Sequence, residues 1–341
     1  MQPTDDHYLL SVRDLQTYFH LYEGVVRAVD GVSFDLRRGE TLGIIGESGC
    51  GKSVTVQSIM RLVPSPPGKI EGGQMLLTLP RPGGGDSEVV DLAQIPPDGE
   101  QMQHICWRHI SIIFQEPMTA FSPVHTIGDQ IMEALLFHTP GMKKAQAHAE
   151  AIELLKSVGI PQADKLVDAY SYQFSGGMRQ RAMIAMALSC HPELLIADEP
   201  TTALDVTVEA QILTLIKELQ RKYNMAMLYI SHDLAVVGQV ADDIMVMYLG
   251  LAVELASTRE IYRNALHPYT QALWRSIPSV DGPLTRLVPI VGNLPNPYAP
   301  REGCPFYARC ERRLDHCRTA VPEYTEVTPG HKVRCFLYAQ G

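Results

Sequence analysis

One eight-residue stretch, Gly46 to Ser53, constrains the fold of this chain more than any other feature, because it reads GESGCGKS and fits the phosphate-binding loop pattern. It lies between an apolar run at 40–46, typical of a buried parallel strand, and a helical pattern over 51–63. Glycines let backbone N–H groups converge on phosphate oxygens, and the start of the next helix adds partial positive charge. We therefore expect an α/β fold built around a site for a nucleotide and Mg²⁺.

The residues of this loop are the predicted nucleotide contacts. Lys52 is expected to reach the β and γ phosphates, and the hydroxyl of Ser53 is expected to bind Mg²⁺. A glycine-rich turn that merely fits the pattern is the simpler alternative, and the strand and helix on either side of the loop argue against it. The predicted contacts are Gly46, Glu47, Ser48, Gly49, Cys50, Gly51, Lys52, Ser53 and Val54.

Two acidic residues follow a second apolar run. The sequence LLIADE places Asp198 at the expected carboxyl end of a strand and Glu199 directly after it. In α/β sheets, ligands bind beyond the carboxyl ends of the strands. Asp198 is therefore predicted to be a Mg²⁺ partner, and Glu199 to polarise the attacking water of a hydrolytic reaction. The alternative is that Glu199 only begins a solvated loop.

Composition excludes several classes of protein. With 341 residues and 45% hydrophobic content, the chain can bury a sizeable core in about two domains. A formal charge of −9 suits no protein that coats nucleic acid, so no nucleic-acid partner is expected. The start, MQPTDDHYLL, predicts no secretory signal. The longest apolar stretch, IMVMYLGLAV at 244–253, is about half of the ~20 residues that a spanning helix needs and is interpreted as one buried strand.

Periodicity gives the organisation along the chain. The pattern from Met118 to about Cys190 predicts a helical subdomain at about 118–190. The composition changes to Pro, Tyr, Arg and Cys near residue 260, so we predict domains at 1–260 and 261–341. Alternating strands and helices indicate a largely parallel sheet. The elements expected after the helical subdomain are strands at 193–198, 226–231 and 243–248 and a helix at 206–223.

The stretch FSGGMRQR at 174–181, with the phosphate loop upstream and LLIADEP downstream, resembles the signature of ATP-binding cassette (ABC) proteins. From the residues alone, Ser175, Gly176 and Gly177 present a hydroxyl, bare amides and a helix dipole toward an anion, although a serine-capped helix start is the simpler alternative. The resemblance implies the P-loop NTPase fold of an ABC nucleotide-binding domain. It also implies that this loop meets the γ phosphate of ATP held by an opposite subunit, in a head-to-tail dimer.

Two further positions match the cassette pattern. Gln115 in IIFQEPM is similar to the glutamine that senses Mg²⁺ and links to the membrane partner. His232, directly after AMLYIS, is similar to the switch histidine that hydrogen-bonds the γ phosphate. Taken singly, they are also compatible with a loop glutamine and a structural histidine. For the aromatic side chain that stacks on adenine we select Phe19, with Tyr18 and Tyr22 as alternatives.

The stretches FQEPMTAFSPV, LIADEPTTALDVTVEAQIL, HPYTQAL and GCPF are similar to the forms found in ATPase subunits of bacterial oligopeptide and dipeptide importers. The resemblance covers roughly residues 8–341. It implies ATP hydrolysis that powers peptide import, by a peripheral protein on the cytoplasmic face of the membrane. The implied partners are a second similar ATPase subunit in a heterodimer, two transmembrane permease chains and an extracytoplasmic peptide-binding protein.

Other functions compete with this interpretation. The same ATPase role can serve another cargo, such as nickel, an opine or an antimicrobial peptide. A soluble cassette ATPase that works on DNA or ribosomes is disfavoured by the single cassette, the lack of a long heptad run and the negative charge. A non-transport regulator would use the cysteines as a sensor and the cassette as a switch.

Four cysteines crowd the C-terminal residues with the spacing C-x₅-C-x₆-C-x₁₇-C. In a reducing cytosol such a cluster suggests metal rather than disulfides, but this spacing differs from that of zinc ribbons and common ferredoxins and does not fix the metal. Resemblance to importer subunits with a four-cysteine motif implies a 4Fe-4S cluster. Zinc is the alternative, followed by unligated thiols or a disulfide. The predicted ligands are Cys304, Cys310, Cys317 and Cys335.

Arginines outnumber acidic residues around the first three of these cysteines. A four-thiolate zinc site and an oxidised 4Fe-4S cluster both carry a net charge of about −2, so the excess of cations fits either group. The arginines are Arg301, Arg309, Arg312, Arg313 and Arg318.

Overall fold

The computed structural model describes residues 8–80, 87–116, 120–202, 204–276, 290, 292–299 and 301–338. The chain divides into two compact units. The first consists of Met1–Leu10, Asp35–Thr41 and Leu76–Ile230, and the second of Ser11–Phe34, Leu42–Met75 and Ser231–Gly341. Each unit is therefore assembled from segments that are distant in the sequence.

The described residues form twelve strands and ten α-helices. The strands are β1 (Tyr8–Leu21), β2 (Gly24–Arg37), β3 (Thr41–Ile45), β4 (Gly68–Leu79), β5 (Glu88–Asp91), β6 (Ile110–Ile113), β7 (Leu194–Asp198), β8 (Ala226–Ile230), β9 (Asp243–Tyr248), β10 (Leu251–Ser257), β11 (Thr325–Thr328) and β12 (His331–Val333). The helices are α1 (Lys52–Ile59), α2 (Glu100–Ile105), α3 (Ile127–His138), α4 (Lys144–Ser157), α5 (Ala163–Leu166), α6 (Gly176–Ala187), α7 (Val206–Tyr223), α8 (Leu234–Val240), α9 (Thr258–Asn264) and α10 (Pro268–Arg275).

The first unit contains three parallel strands in the order β8-β7-β6. Leu194 pairs with Ile110 on one side and with Ala226 on the other. Every residue of the three strands is buried, which explains their continuous apolar sequences, because parallel strands are covered on both faces. The predicted strands at 193–198 and 226–231 and the predicted helix at 206–223 are therefore confirmed to within one residue.

Helices occupy most of the predicted helical subdomain. Helices α3 and α4 pack against α6, and their apolar residues recur at helical spacing. The hydroxyl of Thr126 accepts a hydrogen bond from the Asp129 N–H at 3.1 Å and caps the start of α3. The predicted start at Met118 lies outside the described residues.

The second unit contains a mixed sheet in the order β11-β12-β10-β9-β3. Strands β3 and β9 are parallel, with Leu42 opposite Asp243, whereas β10 runs antiparallel to both β9 and β12. Most residues of β1, β2 and β4 also belong to this unit, where these three strands pair in the order β2-β1-β4. The sheet order places β3, which leads into the predicted phosphate loop, beside β9.

The interpretation of residues 244–253 as one buried strand is wrong. The backbone reverses at Leu249 and Gly250, which have φ values of 45° and 81°, so the run forms the paired strands β9 and β10. Both strands are buried, which explains why the apolar run continues through the turn. No helix in the described ranges is long and apolar enough to cross a membrane.

The C-terminal residues add to this same sheet. Val333 of β12 pairs with Glu254 of β10, and Lys332 pairs with Leu255. The predicted separate, cysteine-rich C-terminal extension is therefore not supported, because backbone pairing joins its last residues to β10. The boundary near residue 260 stays a prediction.

A buried carboxylate fixes this part of the chain. Glu254 is fully buried and accepts hydrogen bonds from the Leu266 N–H at 2.7 Å and the His267 N–H at 3.0 Å. A nitrogen of the His331 ring lies 2.8 Å from the same carboxylate. Since an unpartnered buried carboxylate is very costly, these three contacts hold the start of α10 and strand β12 against β10.

His267 makes this region sensitive to acid. It is 2% exposed and its Nδ1 accepts a hydrogen bond from the Tyr269 N–H at 3.1 Å, while burial lowers its pKa from 6.5 to about 4 and nearby Glu254 opposes that shift only in part. The stabilising contribution of the neutral ring is therefore complete above pH 6.5 and decreases as pH falls toward 4. Between pH 6.5 and 5 the loss should be about 2 kcal/mol.

We expect His267→Asn, which keeps a good helix cap, to reduce this acid sensitivity. Urea unfolding at pH 7 and pH 5 should show a smaller loss of stability in the variant than in the unmodified chain. Equal losses in the two proteins would assign the acid sensitivity to other groups.

Candidate nucleotide-binding site

The predicted phosphate loop lies in the second unit, between the end of β3 and the start of α1. Gly46, Gly49 and Gly51 have φ values of 153°, 77° and 105°, a backbone region that side chains rarely adopt. A Cβ atom on Gly46 would lie 2.3 Å from the carbonyl oxygen of Met247, and one on Gly51 would lie 2.1 Å from that of Ala28. The glycine pattern is thus required by close backbone contacts at two of its three positions.

Lys52 lies over the loop that precedes it. Its Nζ donates hydrogen bonds to the carbonyl oxygens of Gly46 at 2.8 Å and Glu47 at 3.2 Å, and the residue is 5% exposed. A buried ammonium held by the carbonyls of a glycine-rich loop places positive charge where the sequence predicts phosphate.

The predicted hydrolytic residues lie in the first unit, at the carboxyl ends of its parallel strands. Asp198 ends β7 and is 7% exposed. The Nε2 of Gln115, two residues after β6, donates a hydrogen bond of 3.1 Å to Oε2 of Glu199. Glu199 has a φ of 46°, and its N–H donates to the carbonyl of Ile230 at 3.0 Å. This backbone turn directly after β7 brings the carboxylate of Glu199 to the side chain of Gln115.

Two contacts at this edge were not predicted from the sequence. The hydroxyl of Thr202 donates to Oε2 of Glu199 at 3.1 Å, and the side chain of Gln180 in α6 donates to the carbonyl of Pro200. Thr202 follows Glu199 by three residues in EPTT, which is a spacing that a turn can close. Glu199 therefore has two side-chain donors that orient its carboxylate.

The signature residues begin helix α6. The hydroxyl of Ser175 accepts a hydrogen bond from the Met178 N–H at 3.3 Å, and Gly176 has open space where a side chain would be. At Gly177 a Cβ atom would lie 3.0 Å from the side chain of Val208. The serine therefore acts as a helix cap within this chain, and a partner's nucleotide remains a prediction for it.

His232 and Phe19 lie in the second unit. His232 is exposed and follows β8 by two residues, between Ser231 and the capping residue Asp233 of α8. Phe19 is partly exposed on β1. Of the alternatives to Phe19, Tyr18 donates a hydrogen bond of 2.6 Å to Asp30, which engages its hydroxyl. Tyr22 is fully exposed beyond the end of β1.

The side chains predicted to bind Mg²⁺ have suitable chemistry. Ser53 offers a hydroxyl, Asp198 a carboxylate and Gln115 an amide oxygen that its bond to Glu199 does not use. Mg²⁺ prefers oxygen ligands of this kind. The donor types therefore fit the ion.

The predicted 4Fe-4S cluster is wrong. The four C-terminal cysteines line one small cavity, yet the described residues include no group of three or more His, Cys, Asp or Glu side chains that could hold a metal ion. Burial raises the pKa of Cys304 to about 11 and also raises the pKa of Cys310 and Cys335. The same findings argue against zinc, and all seven cysteines are free.

Comparisons with known proteins agree with this geometry. The ABC transporter family model matches residues 29–202, and the model for the oligopeptide/dipeptide transporter C-terminal region matches residues 253–317. A solved dimeric ATP-binding cassette, MJ0796 bound to ADP and Pi after hydrolysis, is similar in fold. Its TM-score is 0.63 and its sequence identity 24%, covering 73% of this chain and 99% of that one.

Full-length relatives are closer in sequence. The dipeptide transport ATP-binding protein DppD of Bacillus subtilis is 48% identical over 97% of this chain and 95% of its own length. The oligopeptide transport ATP-binding protein OppD of Escherichia coli is 43% identical over 96% of this chain and 93% of its own length. This chain therefore belongs to the ABC transporter family, among the ATP-binding subunits of dipeptide and oligopeptide transporters.

Proposed function

We propose that this chain hydrolyses ATP to energise the import of dipeptides or oligopeptides across the cytoplasmic membrane. The observation that carries the ATPase part is the carboxylate of Glu199 held by Gln115 and Thr202 at the end of β7. The peptide part rests on the match of residues 253–317 to the C-terminal region of oligopeptide/dipeptide transporters. The names of the full-length relatives support the same cargo class.

Each predicted site residue receives a role in this proposal. The phosphate loop and Lys52 bind the triphosphate, and Phe19 stacks on adenine. Ser53, Asp198 and Gln115 hold Mg²⁺, which supplies charge neutralisation at the phosphates when it is bound. Glu199 accepts a proton from the attacking water, and His232 donates a hydrogen bond to the γ phosphate. Ser175, Gly176 and Gly177 serve the nucleotide of an opposite ATPase subunit.

The names of the full-length relatives, which are transport ATP-binding proteins, support the following assembly. The chain works as a peripheral subunit on the cytoplasmic face of the membrane, in a heterodimer with a second similar ATPase subunit. Two transmembrane permease chains and an extracytoplasmic peptide-binding protein complete the importer. The ATPase domain spans residues 1–260, with its helical subdomain at about 118–190, and residues 261–341 follow it. Closure around two ATP molecules moves the permease helices, and hydrolysis resets them.

Reconstitution tests the proposal directly. The chain is purified with its permease chains and second ATPase subunit, placed in lipid vesicles, and assayed for phosphate release with the binding protein and a defined mixture of di- and oligopeptides. We expect ATP turnover to rise severalfold with peptide and labelled peptide to accumulate. Stimulation by nickel, an opine or an antimicrobial peptide instead would reassign the cargo, and no ATP turnover under any condition would refute the ATPase role.

A further inference from the structure

The second residue of the phosphate loop carries a negative charge. Glu47 lies between Gly46 and Ser48 in a loop that is expected to bind a polyphosphate. Like charges that lie a few ångströms apart repel each other, and the repulsion is stronger near a protein surface than in water. An acidic side chain at this position therefore opposes nucleotide binding unless its charge is neutralised or directed away.

The structure provides the neutralising group from the C-terminal residues. Nη1 of Arg309 lies 2.7 Å from Oε2 of Glu47, and Nη2 lies 2.9 Å from Oε1. This is a two-bond pair in which the planar guanidinium matches the carboxylate, which is the strongest form of such a contact. The Arg309 side chain is only 4% exposed and that of Glu47 is 27% exposed, so water screens the pair weakly.

Further contacts hold the Arg309 side chain in this position. Nη1 of Arg309 also donates to the hydroxyl of Tyr248 at 3.3 Å, and its guanidinium lies 5.8 Å from the centre of that ring. The hydrogen bond to Glu47 is the largest cause of the raised pKa of Arg309, so the guanidinium stays charged. Arg309 is therefore fixed by strand β9 on one side and by the phosphate loop on the other.

The backbone of Glu47 is held as well. Its N–H donates a hydrogen bond of 2.9 Å to the hydroxyl oxygen of Tyr269, a fully buried residue of α10. The ring of Tyr269 lies 4.6 Å from that of Tyr248 and 5.4 Å from that of Phe306, centre to centre. The carboxylate of Glu47 is thus bound by the buried side chain of Arg309, and its N–H by the buried hydroxyl of Tyr269.

We propose that Arg309 and Tyr269 are positioning residues for the phosphate loop. They hold Glu47 by its carboxylate and its N–H, cancel its charge, and keep the loop in the conformation that binds the polyphosphate of a nucleotide. The C-terminal residues thereby influence the affinity for nucleotide through Glu47. This proposal rests on nucleotide binding by the phosphate loop, as proposed above.

A double-mutant cycle tests the charge part of this proposal on the full chain. MgADP affinity is measured by calorimetry for the unmodified protein, Arg309→Gln, Glu47→Gln and the double variant. We expect Arg309→Gln to weaken binding about tenfold, because it leaves an unpaired carboxylate in the loop. Adding Glu47→Gln to Arg309→Gln should restore most of the lost affinity, because it removes the unpaired carboxylate and keeps the backbone N–H groups of the loop.

Arg275→Gln is the matched control, since it removes the same charge from an exposed arginine of α10 whose ion pair with Glu311 spans 3.5 Å. It should leave MgADP affinity unchanged. A merely structural role for Arg309 predicts no rescue by Glu47→Gln, because the second substitution cannot restore a lost fold. In the reconstituted importer, Arg309→Gln should raise the KM for ATP and leave kcat nearly unchanged.

The outcomes separate the two proposals. Failure of the unmodified chain to bind MgADP would refute the proposed nucleotide binding by the phosphate loop. If the unmodified chain binds MgADP normally, two results would overturn the positioning role alone. One is an unchanged MgADP affinity in Arg309→Gln, and the other is additive losses of affinity in the double variant. If Arg309→Gln proves too unstable to measure, Arg309→Lys is used instead. It keeps the positive charge but loses the planar guanidinium that makes two bonds to the carboxylate, and it should bind MgADP with intermediate affinity.

Discussion

Glu199→Gln should lower ATP turnover of the assembled transporter by roughly 10²–10⁴-fold, the range expected when a positioned proton acceptor is removed. The substitution keeps the shape of the side chain and one acceptor oxygen. Gln115 and Thr202, which both donate to Oε2 at 3.1 Å, can still donate to the amide oxygen of the new residue. What is lost is the negative charge that takes a proton from water. Nucleotide binding should therefore survive while hydrolysis fails.

Phosphate release and nucleotide binding are measured on the same preparation to check this expectation. Glu193→Gln is the matched control, because Glu193 lies just before β7, as Glu199 lies just after it, and its carboxylate pairs with His109 at 2.9 Å. The control should retain normal turnover. Turnover within about threefold of normal for Glu199→Gln would show that another group activates the water.

The parts of the fold that follow local rules could be predicted from the sequence. The helix at 206–223 was predicted to the residue, because Asp205 caps its start through the N–H groups of Thr207 and Val208, and Asn224 ends it with a φ of 50°. The buried strands β7 and β8 were found because their apolar residues are continuous and bounded by turns. Such signals lie within a few residues of one another.

Contacts between distant segments could not be predicted in this way. Arg309 was counted with the arginines that would balance a metal cluster, whereas it pairs with Glu47, 262 positions earlier in the chain. Strand β12 is three residues long, and its pairing with β10 and β11 reveals it. The turn at Leu249 was hidden by apolar residues on both sides. Each of these depends on a partner that no local pattern specifies.

Clustered cysteines show a related limit of sequence reasoning. Their spacing and the surrounding arginines fit a metal-thiolate group, but the described residues include no group of three or more His, Cys, Asp or Glu side chains that could hold a metal ion. Spacing along a chain does not report how the side chains are oriented toward one another in space. Arg309, which directly precedes Cys310 in the sequence, pairs with Glu47 of the phosphate loop instead.

Gly51→Ala should weaken nucleotide binding by a factor on the order of 10² or more. The new Cβ would lie 2.1 Å from the carbonyl oxygen of Ala28, and a backbone oxygen cannot rotate away as a flexible side chain can. The φ of 105° adds conformational strain. The loop must therefore shift, and its N–H groups lose the arrangement that converges on phosphate.

The control for this prediction is Gly141→Ala, which introduces the same methyl group at a φ of 85° with no atom within 4 Å of the new Cβ. It should cost only about 1 kcal/mol of stability from backbone strain and leave MgADP affinity unchanged. Circular dichroism and urea unfolding establish that Gly51→Ala is folded before its affinity is measured by calorimetry. If folded Gly51→Ala binds MgADP as tightly as Gly141→Ala, the close packing of the loop on Ala28 does not set the phosphate site.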